Sequence, residues 1–335
     1  MNSLFLETQR LYKDFLGNAV EYIKSTQDGI ATESKDAFLE ALQSSKRIFF
    51  TGAGSSIPGA LFGALYSSSY RNLSAQYVPT GYILSEKLNS DDLVVLCTQG
   101  YNRGDSILVT KKVKSDGASL AVFTANKDSI NISYADIVLP FDPFPEKLFC
   151  RPVGVVTCLE VLSAVLIKDF SVDKSLDAYS LGLSLEPLLF QRDCKYIVLA
   201  SGWAVPVGFN FALALREGCG IDASFYDIET YGHGMYVSDQ VWKIKGRNLK
   251  YLLINIAHNT HSKKAIDRIL PFLRDTKSEY QIISSALEIP YAYFELLAYL
   301  SNSVYHSNEK NDYDMNNPPG KEESRSYHNE ETYLL

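Results

Sequence analysis

Apolar positions recur at helical spacing over residues 3–26 and again over 34–45, with polar residues between, so the chain opens with two predicted helices. Beyond them, short continuous apolar runs alternate with longer periodic stretches. Arg47–Thr51 (RIFFT), Leu93–Cys97 (LVVLC), Leu120–Thr124 and Ile137–Pro140 read as strands, while Ser56–Ser69, Asp105–Lys114 and the strongly apolar Val153–Lys168 read as helices. Strands without polar alternation are buried on both faces, as in a parallel sheet covered by helices. Around Phe170–Leu176 the pattern turns polar and then starts again. Strands are expected at Tyr196–Ala200, Tyr251–Asn255 and Tyr280–Ser284, and helices at Val205–Arg216, Lys263–Leu273 and Ala292–Tyr305. Laying Tyr196 on Ile48 gives an offset of 148 residues, which is the length of a duplicated domain and not of a short solenoid repeat. Residues 307–335 are polar and acidic and offer little to bury.

Bulk properties narrow the picture. A chain of 335 residues has room for two domains of roughly 150 residues each. Its 46% hydrophobic and 21% charged content is that of a globular protein, and a net charge of −7 argues against a nucleic-acid partner or an anionic membrane surface. The opening residues lack a basic flank before an apolar core, and no apolar run approaches the roughly 20 residues that span a bilayer. Five cysteines, with no CxxC pair and an odd count, read as reduced, buried thiols, and a cytoplasmic location is expected.

Three loops can carry chemistry. Thr51-Gly-Ala-Gly-Ser-Ser-Ile-Pro-Gly59 follows the first strand, where glycines admit a ligand close to the backbone and the next helix offers unpaired N–H groups to an anion. A dinucleotide fingerprint is disfavoured because Ile57 stands at the third glycine, and Gln76–Thr80 lacks the acid expected after the second strand. Ser56 has a plainer role open to it as a helix cap. The second loop, Cys97-Thr-Gln-Gly-Tyr-Asn-Arg-Gly-Asp-Ser106, supplies Thr98, Gln99, Arg103 and Ser106 as donors to phosphate or carboxylate, although Arg103 can equally pair with Asp105. The third is Ala214-Leu-Arg-Glu-Gly218, followed by Tyr231-Gly-His-Gly234. Glu217 ends an apolar helix, where a carboxylate is costly unless paired or working, and His233 lies between two glycines. His258 and His261 lack a carboxylate or cysteine cluster beside them and read as loop polarity.

The order of these elements resembles the tandem sugar-isomerase (SIS) domain family, in particular the isomerase half of glucosamine-6-phosphate synthase and related isomerases and deglycases, over roughly residues 35–325. The resemblance implies an α/β protein with two tandem SIS domains, each a flavodoxin-like parallel sheet in a three-layer α/β/α sandwich. It divides the chain into N-terminal helices (1–45), a first domain (46–170), a second (171–306) and a tail (307–335) folding over the active site. Gly202-Trp-Ala-Val-Pro-Val through Glu217 follows the family's second-domain pattern, which puts Glu217 on the catalytic base and His233 on the ring-opening histidine. Asn317-Pro-Pro-Gly-Lys321 resembles the tail that carries the active-site lysine, so Lys321 is its match. In the first domain the resemblance implies substrate contacts by Ser55, Ser56, Thr98, Gln99, Gly100, Arg103 and Ser106, and in the second by Asn210.

Several positions depart from the family pattern. Gly100 replaces the second serine of the phosphate loop, Asn102 its glutamate and Arg103 its threonine, while Asn210 and Ala214 stand where the synthase has a glutamate and a lysine. The "HGP" triplet is followed only as far as Gly234, with Met235 next. The implied function is isomerisation or deglycation of a phosphorylated sugar or amino sugar without a glutaminase domain, by a homodimer or higher oligomer. A non-catalytic sensor of a sugar phosphate or nucleotide sugar is the alternative. No cofactor and no metal is expected.

Overall fold

The structure is a computed structural model and describes residues 3–101, 104–126, 128–141, 152–311 and 313–315. Two leading helices, α1 (Ser3–Asp28) and α2 (Thr32–Ser44), precede a five-stranded parallel sheet in the order β2-β1-β3-β4-β5. Its strands are β1 (Arg47–Gly52), β2 (Ala75–Tyr77), β3 (Asp92–Thr98), β4 (Ser119–Thr124) and β5 (Ile137–Pro140). They are connected and followed by α3 (Ile57–Tyr70), α4 (Thr80–Ser85), α5 (Gly104–Asp116) and α6 (Pro152–Leu166). Every residue of β3 is buried, as are all but the first of β1 and β4, because helices cover both faces.

After α7 (Val172–Ser184) a second parallel sheet forms in the order β7-β6-β8-β9. It contains β6 (Cys194–Ala200), β7 (Ala223–Asp227), β8 (Asn248–Ile256) and β9 (Glu279–Ser285). Between these strands run α8 (Val205–Cys219), the single turn α9 (Ile228–Thr230), α10 (Tyr236–Ile244) and α11 (Thr260–Asp275), and α12 (Tyr291–Asn311) closes the series. The protein is therefore α/β with two parallel sheets flanked by helices.

The chain divides into two compact units. One holds the five-stranded sheet in Glu21–Glu146 and Val153–Val172, and the other holds the four-stranded sheet in Asp173–Pro318 together with Met1–Val20. In the latter, α12 runs past position 306, where the sequence suggested a tail, and buries Ser307 and Asn308 as well as most of its apolar residues. The short segment after it buries Tyr313 and Met315. The Thr8 hydroxyl donates to Asp314 Oδ1 at 3.1 Å, and Tyr12 stacks on Tyr305 with ring centroids 6.0 Å apart.

Candidate functional site

In each unit the first strand of the sheet ends in a glycine turn and leads through a short 3-10 turn into a helix with proline near its start. The 148-residue offset holds residue by residue. Gly54 has φ +56° and Gly202 φ +58°, both in the left-handed region that favours glycine. Pro58 and Pro206 fall in the first turn of α3 and α8, where a missing N–H costs nothing.

In the unit of the five-stranded sheet, Gly52 pairs with Cys97, so the glycine turn and the β3–α5 loop lie side by side at the C-terminal edge of the sheet. Open α/β sheets bind ligands at this edge, where connections diverge to either side. Ser56 occupies the N-cap position of α3 but makes no capping bond. The hydroxyls of Ser55 and Ser56 have no hydrogen-bond partner among the described residues, so the capping role is not taken up and both remain available. Thr98 and Ser106 converge, with their hydroxyls 3.3 Å apart. Tyr101 N–H donates to Thr98 Oγ1 at 3.2 Å and its phenol meets Thr110 Oγ1 at 2.9 Å. Tyr101 is wholly buried with φ +45°, an anchor that the sequence reading did not single out. Asp105 lies buried in the first turn of α5, where the helix dipole favours a carboxylate. Gln99 behaves differently from its neighbours. Its carboxamide lies against Gly154 in the first turn of α6, and a methyl at that glycine would overlap Gln99 Nε2. Gly100 is half-buried, and Arg103 lies outside the described residues.

In the other unit, Asn210, Ala214 and Glu217 share one face of α8 at spacings of four and three residues. The end of that helix is firmly held. Gly220, with φ +61° and ψ +34°, caps it and donates its N–H to Arg216 O at 3.1 Å. Asn308 Nδ2 donates to Gly218 O at 2.6 Å, and a Cβ on Gly220 would come within 2.6 Å of the Tyr313 ring. Glu217 is fixed in this last turn, half-buried, with no hydrogen bond or ion pair to any described residue. Burial pushes its carboxyl up to about 7, and the neighbouring Arg216 opposes the shift only in part.

His233 is exposed and lies at a kink between two helical turns within Tyr231–Met235, where its own backbone (φ −90°, ψ +30°) and that of Gly234 (φ +117°) leave the helical region. A cavity of about 200 Å³ opens beside it, lined also by Ile228, Glu229, Gly232, Arg268 and Ile269, with an Arg268–Glu229 ion pair among these lining residues. Neither Glu217 nor Asn210 lines this cavity. Lys321 lies outside the described residues. His261 proves to be more than loop polarity: its Nε2 lies 3.2 Å from Ser201 Oγ, and its ring covers Gly202.

With this geometry in place, the comparisons fall into a pattern. Residues 41–167 match the model of the SIS domain. An uncharacterized protein of Archaeoglobus fulgidus is 23% identical over 125 residues, 37% of this chain and 67% of that protein. Solved structures resemble nearly the whole chain. The C-terminal domain of glucosamine-fructose-6-phosphate aminotransferase from Francisella tularensis aligns at a TM-score of 0.70 and 13% identity, covering 90% of this chain and 96% of that one. Tagatose-6-phosphate ketose/aldose isomerase from Escherichia coli aligns at 0.70 and 15% identity, covering 94% and 95%. Glucosamine-6-phosphate deaminase from Thermotoga maritima aligns at 0.63 and 14% identity, covering 90% and 97%. At these identities the likeness is one of fold. No helix among the described residues is long and apolar enough to cross a membrane.

Proposed function

We propose that the protein is a sugar-phosphate aldose–ketose isomerase or deglycase whose general base is Glu217. The observation that carries this reading is the half-buried Glu217 carboxyl without a described partner, pushed up to about 7 by burial. A base that abstracts a proton beside a carbonyl works best with a pKa near the operating pH. A carboxylate kept unpaired on a packed helix gives little to stability, so a chemical role is the better explanation of its cost.

In this reading the hydroxyls of Ser55, Ser56, Thr98 and Ser106 bind the phosphorylated sugar, and Arg103 adds a charged fork in place of the family's threonine. His233 opens the sugar ring, and Lys321 engages the carbonyl or stabilises the enediolate. Gln99 serves the loop by packing on α6 as well as by any contact with substrate. The proteins of the same fold named above include a ketose/aldose isomerase and a deaminase, which is the same class of chemistry. A homodimer is part of the proposal. The tyrosines at 226 and 231 turn toward the core, but α10 exposes Val237, Val241 and Ile244 along one face, with Met235 just before it. The chain is taken to work in the cytoplasm.

The alternative, a non-catalytic sensor, is favoured by Gly100, Arg103, Asn210 and Ala214, which stand where the family pattern has a serine, a threonine, a glutamate and a lysine. Glu217→Gln distinguishes the two, since it keeps shape and hydrogen bonding but deletes the basic lone pair. Turnover is expected to fall about 10²–10⁴-fold with affinity little changed. Unchanged turnover in that variant, or an effect on affinity alone, would remove Glu217 from catalysis.

A further inference from the structure

Three successive carbonyls of the β3–α5 loop are held by one short segment that runs from Thr124, the last residue of β4, to Asn131. Gln99 O accepts from Thr124 Oγ1 at 3.3 Å, and Gly100 O accepts from Asn126 Nδ2 at 2.9 Å. Tyr101 O accepts twice, from Ser129 Oγ at 2.8 Å and Asn131 Nδ2 at 3.2 Å. In a planar trans peptide the C=O of one residue and the N–H of the next point in opposite directions. Fixing the Gly100 carbonyl toward Asn126 therefore turns the Tyr101 N–H the other way, where it meets Thr98 Oγ1. The result is a loop whose three carbonyls face the Thr124–Asn131 segment while the Tyr101 N–H faces the side of Thr98. An anion needs that polarity, because a single carbonyl turned toward it would repel it.

We infer that Asn126, Ser129 and Asn131, together with Thr124, are positioning residues that orient this loop for an anionic group and so determine the preference for phosphorylated over neutral sugar. The inference rests on reading Thr98 and Ser106 as the phosphate end of the site. It also explains how the loop can keep its form although Gly100 lacks the hydroxyl of the family pattern: part of the hydrogen bonding comes from side chains about 25 to 30 positions downstream.

The test compares the affinities of the full-length protein for fructose 6-phosphate, inorganic phosphate and fructose by calorimetry. Asn126→Asp preserves size but replaces the donor with an acceptor facing the Gly100 carbonyl. It is expected to weaken fructose 6-phosphate and phosphate about 10-fold or more while leaving fructose unchanged. Thr124→Ser keeps the hydroxyl and should retain wild-type affinity. If Asn126→Asp does not fold, Asn131→Ala carries the test, since Ser129 still holds the same carbonyl, and a smaller loss confined to the two anions is expected. Variants that keep the wild-type preference for the anions overturn this positioning role and leave the phosphate loop standing. A wild-type protein with no preference for fructose 6-phosphate over fructose overturns the phosphate loop itself.

Discussion

Gly54 and Gly202 open turns with almost the same backbone. The residue before each is extended, at φ −127° for Ala53 and −146° for Ser201, and the residue before each helix lies at φ −85° for Ser56 and −79° for Ala204. What surrounds them differs. A Cβ on Gly54 would meet nothing within 4 Å, whereas on Gly202 it would come within 3.1 Å of His261 Cδ2. The first turn carries two serines without described partners. The second carries Trp203 and Ala204, and the Trp203 carbonyl accepts from the Tyr293 hydroxyl at 2.6 Å. One turn is open and lined with donors, the other is covered by its own protein. The two units thus share the backbone of this turn, and the division of labour proposed above, with anion binding in the first and proton transfer through Glu217 in the second, lies in their side chains.

The largest test of that division concerns the second half. A carboxyl at about 7 in the native state and near its ordinary value of 4.5 when unfolded keeps its proton on the folded side only, between those two values. Stability should then fall as pH rises through that window, by up to about 3 kcal/mol in all. Glu217→Gln should flatten the slope in denaturant titrations across pH 4.5–7. A wild-type slope of the opposite sign would show that the carboxyl is stabilised as the anion.

Binding separates the two units next. Thr98→Val or Ser106→Ala should each weaken a phosphosugar by about 10-fold or more, since a hydrogen bond to a charged group contributes about 1.5–3 kcal/mol. Ser201→Ala and His261→Ala should leave that affinity within about 2-fold, and an equal loss in both units would erase the distinction. A smaller effect is expected from Gly54→Ala and Gly202→Ala. Both pay about 1–2 kcal/mol for left-handed backbone, but Gly202→Ala should cost more because His261 must also move. Thermal melting of the pair would show it, and equal costs would mean that His261 yields freely. Ser201→Ala alone removes one hydrogen bond and should cost about 0.5–1.5 kcal/mol.

The strands most legible in the sequence were those buried on both faces, β1, β3, β4, β6 and β8, because continuous apolar runs are their signature. Ala75–Tyr77 and Ala223–Asp227 lie at sheet edges, are largely half-buried, and carry polar residues that gave no such signal. The Val172–Ser184 helix was hidden by the polar stretch at its start. The glycine turns, and the places of Thr98 and Ser106 around the β3–α5 loop and of Glu217 at the end of α8, could be read from residue type and position alone. The direction of Gln99 could not, since it depends on Gly154 more than fifty residues away, nor could the contact of His261 with Ser201, made across sixty positions. Tyr101 was passed over because a wholly buried tyrosine in a loop rich in polar residues has no sequence signature.

The most direct measurement incubates the protein with aldose and ketose phosphates in deuterium oxide and follows label by mass spectrometry. Deuterium at C2 of an aldose phosphate or at C1 of a ketose phosphate is expected with the wild-type protein and not with Glu217→Gln. A phosphosugar that binds the wild-type protein yet takes up deuterium at neither carbon would contradict the assignment of Glu217 as the base and leave the sensor in its place.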